Sequence, residues 1–425
     1  MPSGAGLFVE DRQDLAAELL SRGRRHSVDH SRTCGMAYQS PAADLRFVAD
    51  ARPDDLEGWL REERPGERRR GAAESEHADP RLSASEALED LSRLVSATEK
   101  LHKNAQISAR WVGFDQRVHL ARPGCEIAHD VRRSRRVRLQ VVLTRRGRAA
   151  CAVGEAVLRS DSDENLDKQL DLLAGEVAAR VEIRLTAEAP IPGERRVVFA
   201  PGVGGVLFHE IVGHALEADT IVGGASWLSG GSTEAFRGSP HVTVVDDPRR
   251  GRAAWRLDDE GQPARAVPLF REGRVCGWLH DRASARRSGT QPTGHGRRAS
   301  FRDPVRPRMG CTFLTAGRCD PSEALGGIEE GIYVRRMEAA STDTRTGHAE
   351  FRVTDADRIR HGRLAAPLTP HVMEVSAQAA LSSVDRVAND LAFDTCVGSC
   401  LHHGQPLSVT VGAPTFRIGL VRVVG

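Results

Sequence analysis

The segment VGGVLFHEIVGHALEAD, residues 203–219, places His209 and His214 on either side of Glu210 in an otherwise apolar stretch. A buried carboxylate is costly without a compensating cation, so this pattern indicates a metal site. The histidines stand five positions apart, and such positions diverge by about 140° around a regular α-helix. A π-type turn brings them onto one face. The sequence therefore predicts a helix with a π-type turn between the histidines, eased by Gly213.

Two other interpretations of this segment exist. RRVVFAPGVGGVLF resembles the start of a dinucleotide-binding unit, but Leu207 stands where the third glycine belongs and no βαβ alternation follows. A phosphate-binding loop is excluded because its Lys and Ser/Thr are missing. The other interpretation is an ordinary helix in which one histidine is buried and hydrogen-bonded and the other is exposed.

A third metal ligand must come from elsewhere, because a catalytic zinc ion usually has three protein ligands and one open position. The eight cysteines are scattered, and most are expected to be reduced, buried, small side chains. The only Cys-rich segment is DTCVGSCLHHGQP, residues 394–406, in which Cys400 is expected in a loop before the last strands. A site of two histidines and one thiolate is chemically reasonable for zinc.

Bulk composition narrows the class of protein. The 425 residues exceed the size of one hydrophobic core, so two domains are expected. A net charge of +2 offers no support for nucleic-acid binding, and no window is apolar enough for a membrane span. The basic runs RRSRRVR (132–138) and ERRRG (67–71) are interpreted as solvated. The amino end has no signal-peptide pattern, which predicts a cytoplasmic protein.

The predicted fold class is α+β. Residues 1–190 are expected to form an N-terminal α/β domain with two long helices on a sheet, and residues 61–81 a surface loop. The long helices are predicted at 83–105, with Ser83 or Ser85 as its cap, and at 162–186. Further predicted elements are an amphipathic helix at 12–23, strands at 26–39 and 44–50, and a hairpin at 137–157.

Residues 191–425 are expected to form a β-rich C-terminal domain that carries the His-Glu-His helix. Residues 187–196, with two prolines, are the candidate linker. Strands are predicted from runs of β-forming residues that are separated by Gly, Pro and Asp, at 195–200, 241–248, 266–281, 310–317, 348–364 and 407–425.

Several long motifs in residues 195–425 resemble the TldD/PmbA family of metallopeptidases, once described as modulators of DNA gyrase. They are GGVLFHEIVGHALEAD, VTVVDDP, the run that begins LDDEGQPARAVPLFREG and ends FRDPVRPRM, and GQPLSVTVGAPTFRIGLVRVVG. The resemblance implies His209, His214 and Cys400 as zinc ligands. It implies Glu210 as the residue that activates water.

The resemblance also implies Cys400 over Cys396 as the thiolate ligand, because a Gly-Gln pair follows the family cysteine, as residues 404–405 do here. Between them, LHH occupies the positions that the family usually gives to Gly-Lys and one more residue. His402 and His403 are therefore alternative ligands or neighbours that perturb the site.

Two acidic residues, Glu217 and Asp219, follow the histidines on the same segment. They are interpreted first as ordinary charges at a helix end. The alternative is that one of them orients a metal-binding histidine.

The PmbA (TldE) branch of the family lacks the His-Glu-His motif, so the resemblance implies the catalytic, TldD-like branch. Such subunits work with a TldE-like partner as a heterodimer, or with a copy of themselves, around a cavity that admits unfolded peptides. The implied function is zinc-dependent hydrolysis of extended peptides, such as leader segments of ribosomally made peptide products. The alternatives are a non-hydrolytic peptide-binding scaffold subunit and a protein that binds DNA gyrase.

Overall fold

The computed structural model describes residues 6–20, 26–39, 45–49, 82–121, 127–158, 163–394 and 398–424. The predicted loop at 61–81 and the basic run at 67–71 lie outside the described residues. Within these ranges, no helix has the length and apolar character needed to cross a membrane. Strands predominate and helices are fewer, which confirms the predicted α+β class.

The amino-terminal half is a six-stranded antiparallel sheet with the strand order β3-β2-β1-β4-β5-β6. The predicted strands at 26–39 and 44–50 and the predicted hairpin at 137–157 are confirmed as β2, β3 and β5–β6. The strands are β1 (Gly6–Leu20), β2 (His26–Gln39), β3 (Leu45–Ala49), β4 (Gln106–Ala121), β5 (Ala128–Arg145) and β6 (Arg148–Val157).

Two long helices, α1 (Ala84–Leu101) and α2 (Asp163–Arg184), lie on this sheet, as predicted. The Ser83 hydroxyl caps α1 by accepting the Glu86 N–H at 3.4 Å. The apolar faces of the helices and of the sheet share one core. Its fully buried members include Leu91, Leu94, Val137, Leu139, Ala174, Val177 and Val181.

The predicted amphipathic helix at 12–23 is wrong, because residues 6–20 form strand β1. This strand pairs along its length with β2 on one side and β4 on the other. Leu15 and Ala17, two positions apart, are buried in the core beneath the helices. Pairing on both edges therefore outweighs the helix propensity of LAAELL.

The basic run 132–138 is not wholly solvated, contrary to the prediction. Arg132 on β5 is buried, and its guanidinium lies 2.6 Å from the Asp259 carboxylate and 3.1 Å from that of Asp130. Nearby, the Glu10 carboxylate on β1 accepts the Phe301 N–H at 2.8 Å. Buried polar contacts of this kind fix the amino-terminal sheet against the carboxyl-terminal half.

The predicted linker 187–196 is held in place at its amino end. The Glu188 N–H donates to the Pro367 carbonyl at 2.9 Å, and the Glu188 carbonyl accepts the Thr369 N–H at 2.8 Å. The next strand begins at Gly193. We propose residues 1–190 and 191–425 as the two domains of the chain.

The carboxyl-terminal half contains most of the strands. In chain order they are β7 (Gly193–Phe199), β8 (Val244–Asp246), β9 (Val267–Arg271), β10 (Arg274–Val275), β11 (Gly296–Arg297), β12 (Arg306–Pro307), β13 (Cys311–Leu314), β14 (Glu330–Asp343), β15 (His348–Arg360), β16 (Arg363–Leu368), β17 (His371–Ser376), β18 (Arg386–Val387), β19 (Ala392–Phe393), β20 (Gly398–His402), β21 (Gln405–Ala413) and β22 (Phe416–Val424). Each strand segment predicted for this half overlaps at least one of them.

These strands build two sheets. In the first, β14, β7, β22, β17 and β15 pair in turn and β15 pairs back to β14, which closes a small barrel. Strands β16 and β18 extend it. The second sheet has the order β10-β9-β8-β13-β21-β19, with β20 paired to β21. Strands β11 and β12 pair separately.

Short helical segments connect the strands. They are α3 (Gly205–Phe208), α4 (Ala218–Val222), α5 (Ser232–Ala235), α6 (Arg282–Arg287), α7 (Ala377–Ser383) and a 3₁₀ turn (Pro321–Ala324). The segment that begins with α3 contacts β14 and β15 of the barrel and β13 and β21 of the second sheet. The His-Glu-His segment therefore lies between the two sheets.

The stability of the protein is expected to depend on pH through Glu260, a buried residue of the LDDEGQP motif. Burial and the nearby Asp258 carboxylate raise the pKa of Glu260 from 4.5 to about 8. The folded chain keeps this proton where the unfolded chain has lost it, so the free energy of unfolding falls as pH rises between these two values. Glu260→Gln, which stays neutral, is expected to reduce this loss. Urea unfolding of the wild type and the variant at pH values near 4.5 and near 8 measures this loss. An equal loss of unfolding free energy in both proteins would contradict the raised pKa of Glu260.

Candidate metal centre

The histidine segment changes its helical type at the motif itself. One turn of α-helix (Gly205–Phe208) leads into a π-helical turn (His209–Gly213) and then a 3₁₀ turn (His214–Leu216). The His214 N–H donates to the His209 carbonyl, which is the hydrogen bond that defines the wider turn. The predicted π-type turn is confirmed, and it brings the two imidazole rings to a centroid separation of 4.9 Å.

Gly213 is required by close packing of this turn. A Cβ atom there would lie 1.8 Å from Sδ of Met309, a side chain that is itself buried. Leu207, Phe208 and Ile211 are also buried in the surrounding core. The apolar residues of the segment thus anchor it between the sheets.

Gly213→Ala is expected to lower the free energy of unfolding by about 1–3 kcal/mol, the usual cost of overpacking a core. Gly175→Ala is the matched control, because that position is also helical and has nothing within 4 Å of a built Cβ. The control is expected to be neutral or stabilising by up to ~1 kcal/mol. Denaturant unfolding of both variants tests the prediction, and an unchanged Gly213→Ala midpoint would contradict it.

Cys400 lies close to the histidines although it is 186 positions after His214 in the sequence. It lies on strand β20 and not in a loop, contrary to the prediction. Strands β20 and β21 form a hairpin whose turn residues, His403 and Gly404, have φ angles of 50° and 77°. Positive φ at both turn residues is typical of a tight hairpin. The paired strand gives Cys400 a fixed direction.

His209, His214 and Cys400 come together as a compact cluster. All three are buried, and one potential ligand atom of each lies within 4.8 Å of the others. Sγ of Cys400 lies 3.2 Å from Nε2 of His214. Nδ1 of His209 is buried and has no hydrogen-bond partner among the residues that the structure describes. Cys396, the other cysteine of the segment 394–406, lies outside the described residues.

The electrostatics of the cluster favour the thiolate. Burial raises the pKa of Cys400, but the adjacent His214 and His209 lower it well below the usual range of a thiol. Burial lowers the pKa of His214, whereas Cys400 and Glu217 raise it well above the usual value. A thiolate is the form of cysteine that binds a metal ion.

Glu217 is not an ordinary charge at a helix end, which corrects the first interpretation. Its side chain is fully buried, and its Oε2 accepts the Nδ1–H of His214 at 3.2 Å. The same oxygen lies 2.8 Å from Nδ1 of His402. Burial raises the pKa of Glu217, but His214, His402 and Arg308 together lower it far below its usual range. Asp219 instead pairs with Arg306 at 3.1 Å.

Arg308 was not identified from the sequence, although it lies in the family-like motif FRDPVRPRM. It is 1% exposed and the largest fully buried side chain among the described residues. Its guanidinium donates to Sγ of Cys400 at 3.2 Å and to the Cys400 carbonyl at 3.0 Å. Its Nε lies 3.4 Å from Oε1 of Glu217.

His402 and His403 differ in their relation to the cluster. His402 forms a second group with His214 and Glu217, in which the potential ligand atoms also lie within 4.8 Å of one another. It contacts the first cluster through His214, whose ring centroid is 4.6 Å away. His403 is exposed on the hairpin turn, with its Nε2 at 3.9 Å from Asp219.

Glu210 lies beside the cluster and is only partly buried. Its Oε2 is 4.0 Å from Nε2 of His214 and accepts the Thr342 hydroxyl hydrogen at 2.6 Å. Thr342, near the end of β14, is a second contact that sequence reasoning missed, because it is 132 positions away. The arrangement places a carboxylate beside the candidate ligand atoms of the cluster without making it part of that set.

Comparison with known proteins identifies the family to which the chain is similar. A family model described as the PmbA/TldA metallopeptidase C-terminal domain matches residues 192–425. A metalloprotease TldD homolog of Haemophilus influenzae is 29% identical over 345 residues, which cover 79% of this chain and 71% of that protein. A metalloprotease of Methanothermobacter thermautotrophicus is 32% identical over 273 residues, 64% of this chain and 58% of that protein.

Solved structures resemble the whole fold. TldE from Thermococcus kodakarensis has a TM-score of 0.73 at 16% identity and covers 99% of this chain and 96% of its own. A putative modulator of DNA gyrase from Thermotoga maritima has a TM-score of 0.71 at 15% identity, with coverage of 99% and 96%. The likeness in fold agrees with the sequence match over the carboxyl-terminal half. This chain belongs to the PmbA/TldD family of metallopeptidases.

Proposed function

We propose that the protein is a zinc-dependent peptidase in which His209, His214 and Cys400 hold the metal ion and Glu210 activates the attacking water. The observation that carries this proposal is the meeting of three buried ligand atoms within 4.8 Å of one another, beside a carboxylate that stands outside the set. Three protein ligands and one open side are typical of catalytic zinc sites, whereas structural sites use four ligands.

The donor chemistry fits zinc. Two imidazoles and a thiolate suit Zn²⁺ better than Mg²⁺ or Ca²⁺, which prefer oxygen ligands. Glu217 accepts a hydrogen bond from Nδ1 of His214, so Nε2, the nitrogen that faces Cys400, is the one that would bind the metal ion. A relative from Saccharolobus solfataricus, 26% identical over 248 residues, is named a zinc metalloprotease TldD homolog.

Glu210 is the residue of this chain that handles the proton. When bound, zinc supplies Lewis-acid chemistry, which polarises the scissile carbonyl and makes a water molecule acidic near neutral pH. Glu210 takes the proton of the attacking water and delivers it to the leaving amine. Thr342 donates to Oε2 of Glu210 at 2.6 Å and so orients the carboxylate beside His214.

The substrate class that we propose is an extended, unfolded peptide, including leader segments of ribosomally made peptide products. Within the described residues, strand β20 pairs only with β21, so the other edge of the strand that carries Cys400 has no neighbouring strand. An exposed edge binds the main chain of a peptide through hydrogen bonds and places few demands on its side chains. Access to the site, more than side-chain sequence, then determines which peptides are cut.

The partner that we propose is a TldE-like subunit, which would form a heterodimer, with a second copy of this chain as the alternative. The likeness in fold to the Thermococcus TldE agrees with both arrangements, since two chains of one fold can associate as the halves of a symmetric or nearly symmetric dimer.

Hydrolysis tests the proposal. The purified chain, alone and mixed with a TldE-like subunit of the same source, is incubated with an unfolded peptide, and the products are separated by mass. Cleavage is expected to stop with a chelator and to return with added zinc. A zinc-loaded protein that binds peptides and cuts none in either arrangement would show a non-hydrolytic scaffold subunit instead.

A further inference from the structure

We infer that the buried Arg308–Glu217 ion pair positions two metal ligands at once, with Arg308 holding the Cys400 thiolate and Glu217 holding the His214 imidazole. The inference rests on the proposed function, and it assigns a role to two residues outside the ligand set and the proton-handling group. Both are positioning residues, because each acts on the metal site through a ligand.

Arg308 fixes the hairpin that carries the thiolate. Its NH2 group donates to both the sulfur and the carbonyl of Cys400, at 3.2 and 3.0 Å. Its NH1 group donates to the carbonyls of His402 and Gln405, at 3.3 and 3.1 Å. One planar guanidinium thus binds both strands of the β20–β21 hairpin. The rigid fork of donors sets the distance and direction of Sγ, which a flexible ammonium group does not do.

Glu217 fixes the ring of His214. A carboxylate only accepts hydrogen bonds, so its contact of 3.2 Å with Nδ1 requires the hydrogen of the imidazole on Nδ1. Once the ring gives up its other proton to bind a metal ion, the lone pair is on Nε2, which lies 3.2 Å from Sγ of Cys400. The contact therefore selects both the tautomer and the orientation that bind a metal ion.

The ion pair joins these two arrangements. Nε of Arg308 lies 3.4 Å from Oε1 of Glu217, the oxygen that does not contact His214. The two ligands that it connects are 186 positions apart in the sequence. Their relative position is therefore set by a contact between two other side chains, before any metal ion binds.

Stability alone does not account for this pair. Both side chains are at most 1% exposed, and the cost of removing two charges from water often exceeds their attraction, so a hydrophobic pair would serve the core as well. A donor aimed at the thiolate and an acceptor aimed at the imidazole give the pair a use that a hydrophobic replacement lacks. Loss of contacts of this kind typically weakens metal binding 10–100-fold.

Zinc affinity of matched variants tests the inference. The variants are Glu217→Gln, which keeps the shape and removes the charge, and Arg308→Lys, which keeps the charge and removes the fork. Arg417→Lys is the control, because Arg417 is also buried, pairs with Asp385 at 2.7 Å and donates to the Gly326 carbonyl. Among the described residues, its hydrogen bonds and ion pair involve none of the proposed ligands. Zinc affinity is measured by competition with a coloured chelator, and the ligand geometry by the absorption spectrum after Co²⁺ replaces zinc.

Glu217→Gln and Arg308→Lys are both expected to bind zinc about 10–100-fold more weakly than the wild type. The Arg308→Lys protein is also expected to show a shifted thiolate-to-cobalt band. The control is expected to match the wild type in both measurements. A loss of folded structure alone does not shift the band of the protein that remains folded, so the spectrum separates positioning from stability.

Wild-type affinity and an unchanged cobalt spectrum in Glu217→Gln would overturn the inference while leaving the peptidase proposal intact. If Arg308→Lys does not fold, the zinc affinity and the cobalt spectrum of Glu217→Gln alone test the inference. Equal losses in Arg417→Lys would also overturn it, since they would show a general effect of replacing a buried, ion-paired arginine. A wild-type chain that binds no zinc would instead overturn the proposed function itself.

Discussion

Replacing Glu210 with glutamine is expected to slow peptide hydrolysis by about 10²–10⁴-fold, the usual contribution of a general acid/base group. Glutamine has nearly the same shape but does not accept the proton of the attacking water. Its amide oxygen still accepts the Thr342 hydroxyl hydrogen, so the side chain is expected to keep its position. Zinc content, folding and peptide binding should all remain at the wild-type level, because Glu210 lies outside the ligand cluster.

The measurement is the rate of cleavage of an unfolded peptide by chelator-sensitive wild-type protein and by the variant, with the same partner subunit. Glu234→Gln is a matched control, since this carboxylate lies on α5, outside the His-Glu-His segment, and has no part in the metal cluster. The control should cut at the wild-type rate. Undiminished cleavage by the Glu210→Gln protein would rule out the proposed mechanism.

Cys400→Ala is expected to have the second large effect, which is loss of bound zinc and, with it, of hydrolysis. Removing the thiolate leaves His209 and His214 as two neutral ligands, one fewer than catalytic zinc sites usually have. It also leaves the Arg308 guanidinium without the sulfur that it contacts at 3.2 Å. Elemental analysis after gel filtration measures the zinc that each protein retains.

Cys396→Ala is the control for this experiment, because the family resemblance implies Cys400 as the ligand and not Cys396. The control is expected to keep about one zinc ion per chain, as the wild type does. Full retention of zinc by the Cys400→Ala protein would contradict the assignment. The neighbouring His402 would then be the third ligand, through the group that it forms with His214 and Glu217.

The histidine turn was predictable from the sequence because its cause is local. Five-residue spacing of two histidines around a glutamate requires a π-type turn if both rings are to face one ion, and the structure has that turn at His209–Gly213. The local geometry needed no knowledge of the rest of the chain. The requirement for glycine at position 213 does depend on the rest of the chain, because this residue packs against Met309 on a distant segment.

Contacts between distant segments were not predictable in the same way. The sequence favours an ordinary helix-end charge at Glu217, because nothing nearby in the chain indicates its contacts with the guanidinium of Arg308 and the ring of His402. The sequence predicts a loop at Cys400, because the short strand that the structure has there depends on pairing with β21. A single sequence contains the residues of such a network but not their proximity.

The amino-terminal half shows the same limit for secondary structure. Helices α1 and α2 follow from apolar spacing and a serine cap, which are local signals. Strand β1 has the composition of a helix and becomes a strand because β2 and β4 pair with both of its edges. Strand β4, which lies between β1 and β5, was not predicted at all.

X-ray absorption at the zinc edge of the purified protein tests the central claim most directly, since it identifies the atoms around the metal ion. The expected shell has two imidazole nitrogens at about 2.0–2.1 Å, one sulfur at about 2.3 Å and one further light atom. This result would assign His209, His214 and Cys400 as the ligands, provided that the sulfur signal disappears in the Cys400→Ala protein. A shell of nitrogen and oxygen atoms without sulfur would contradict the account.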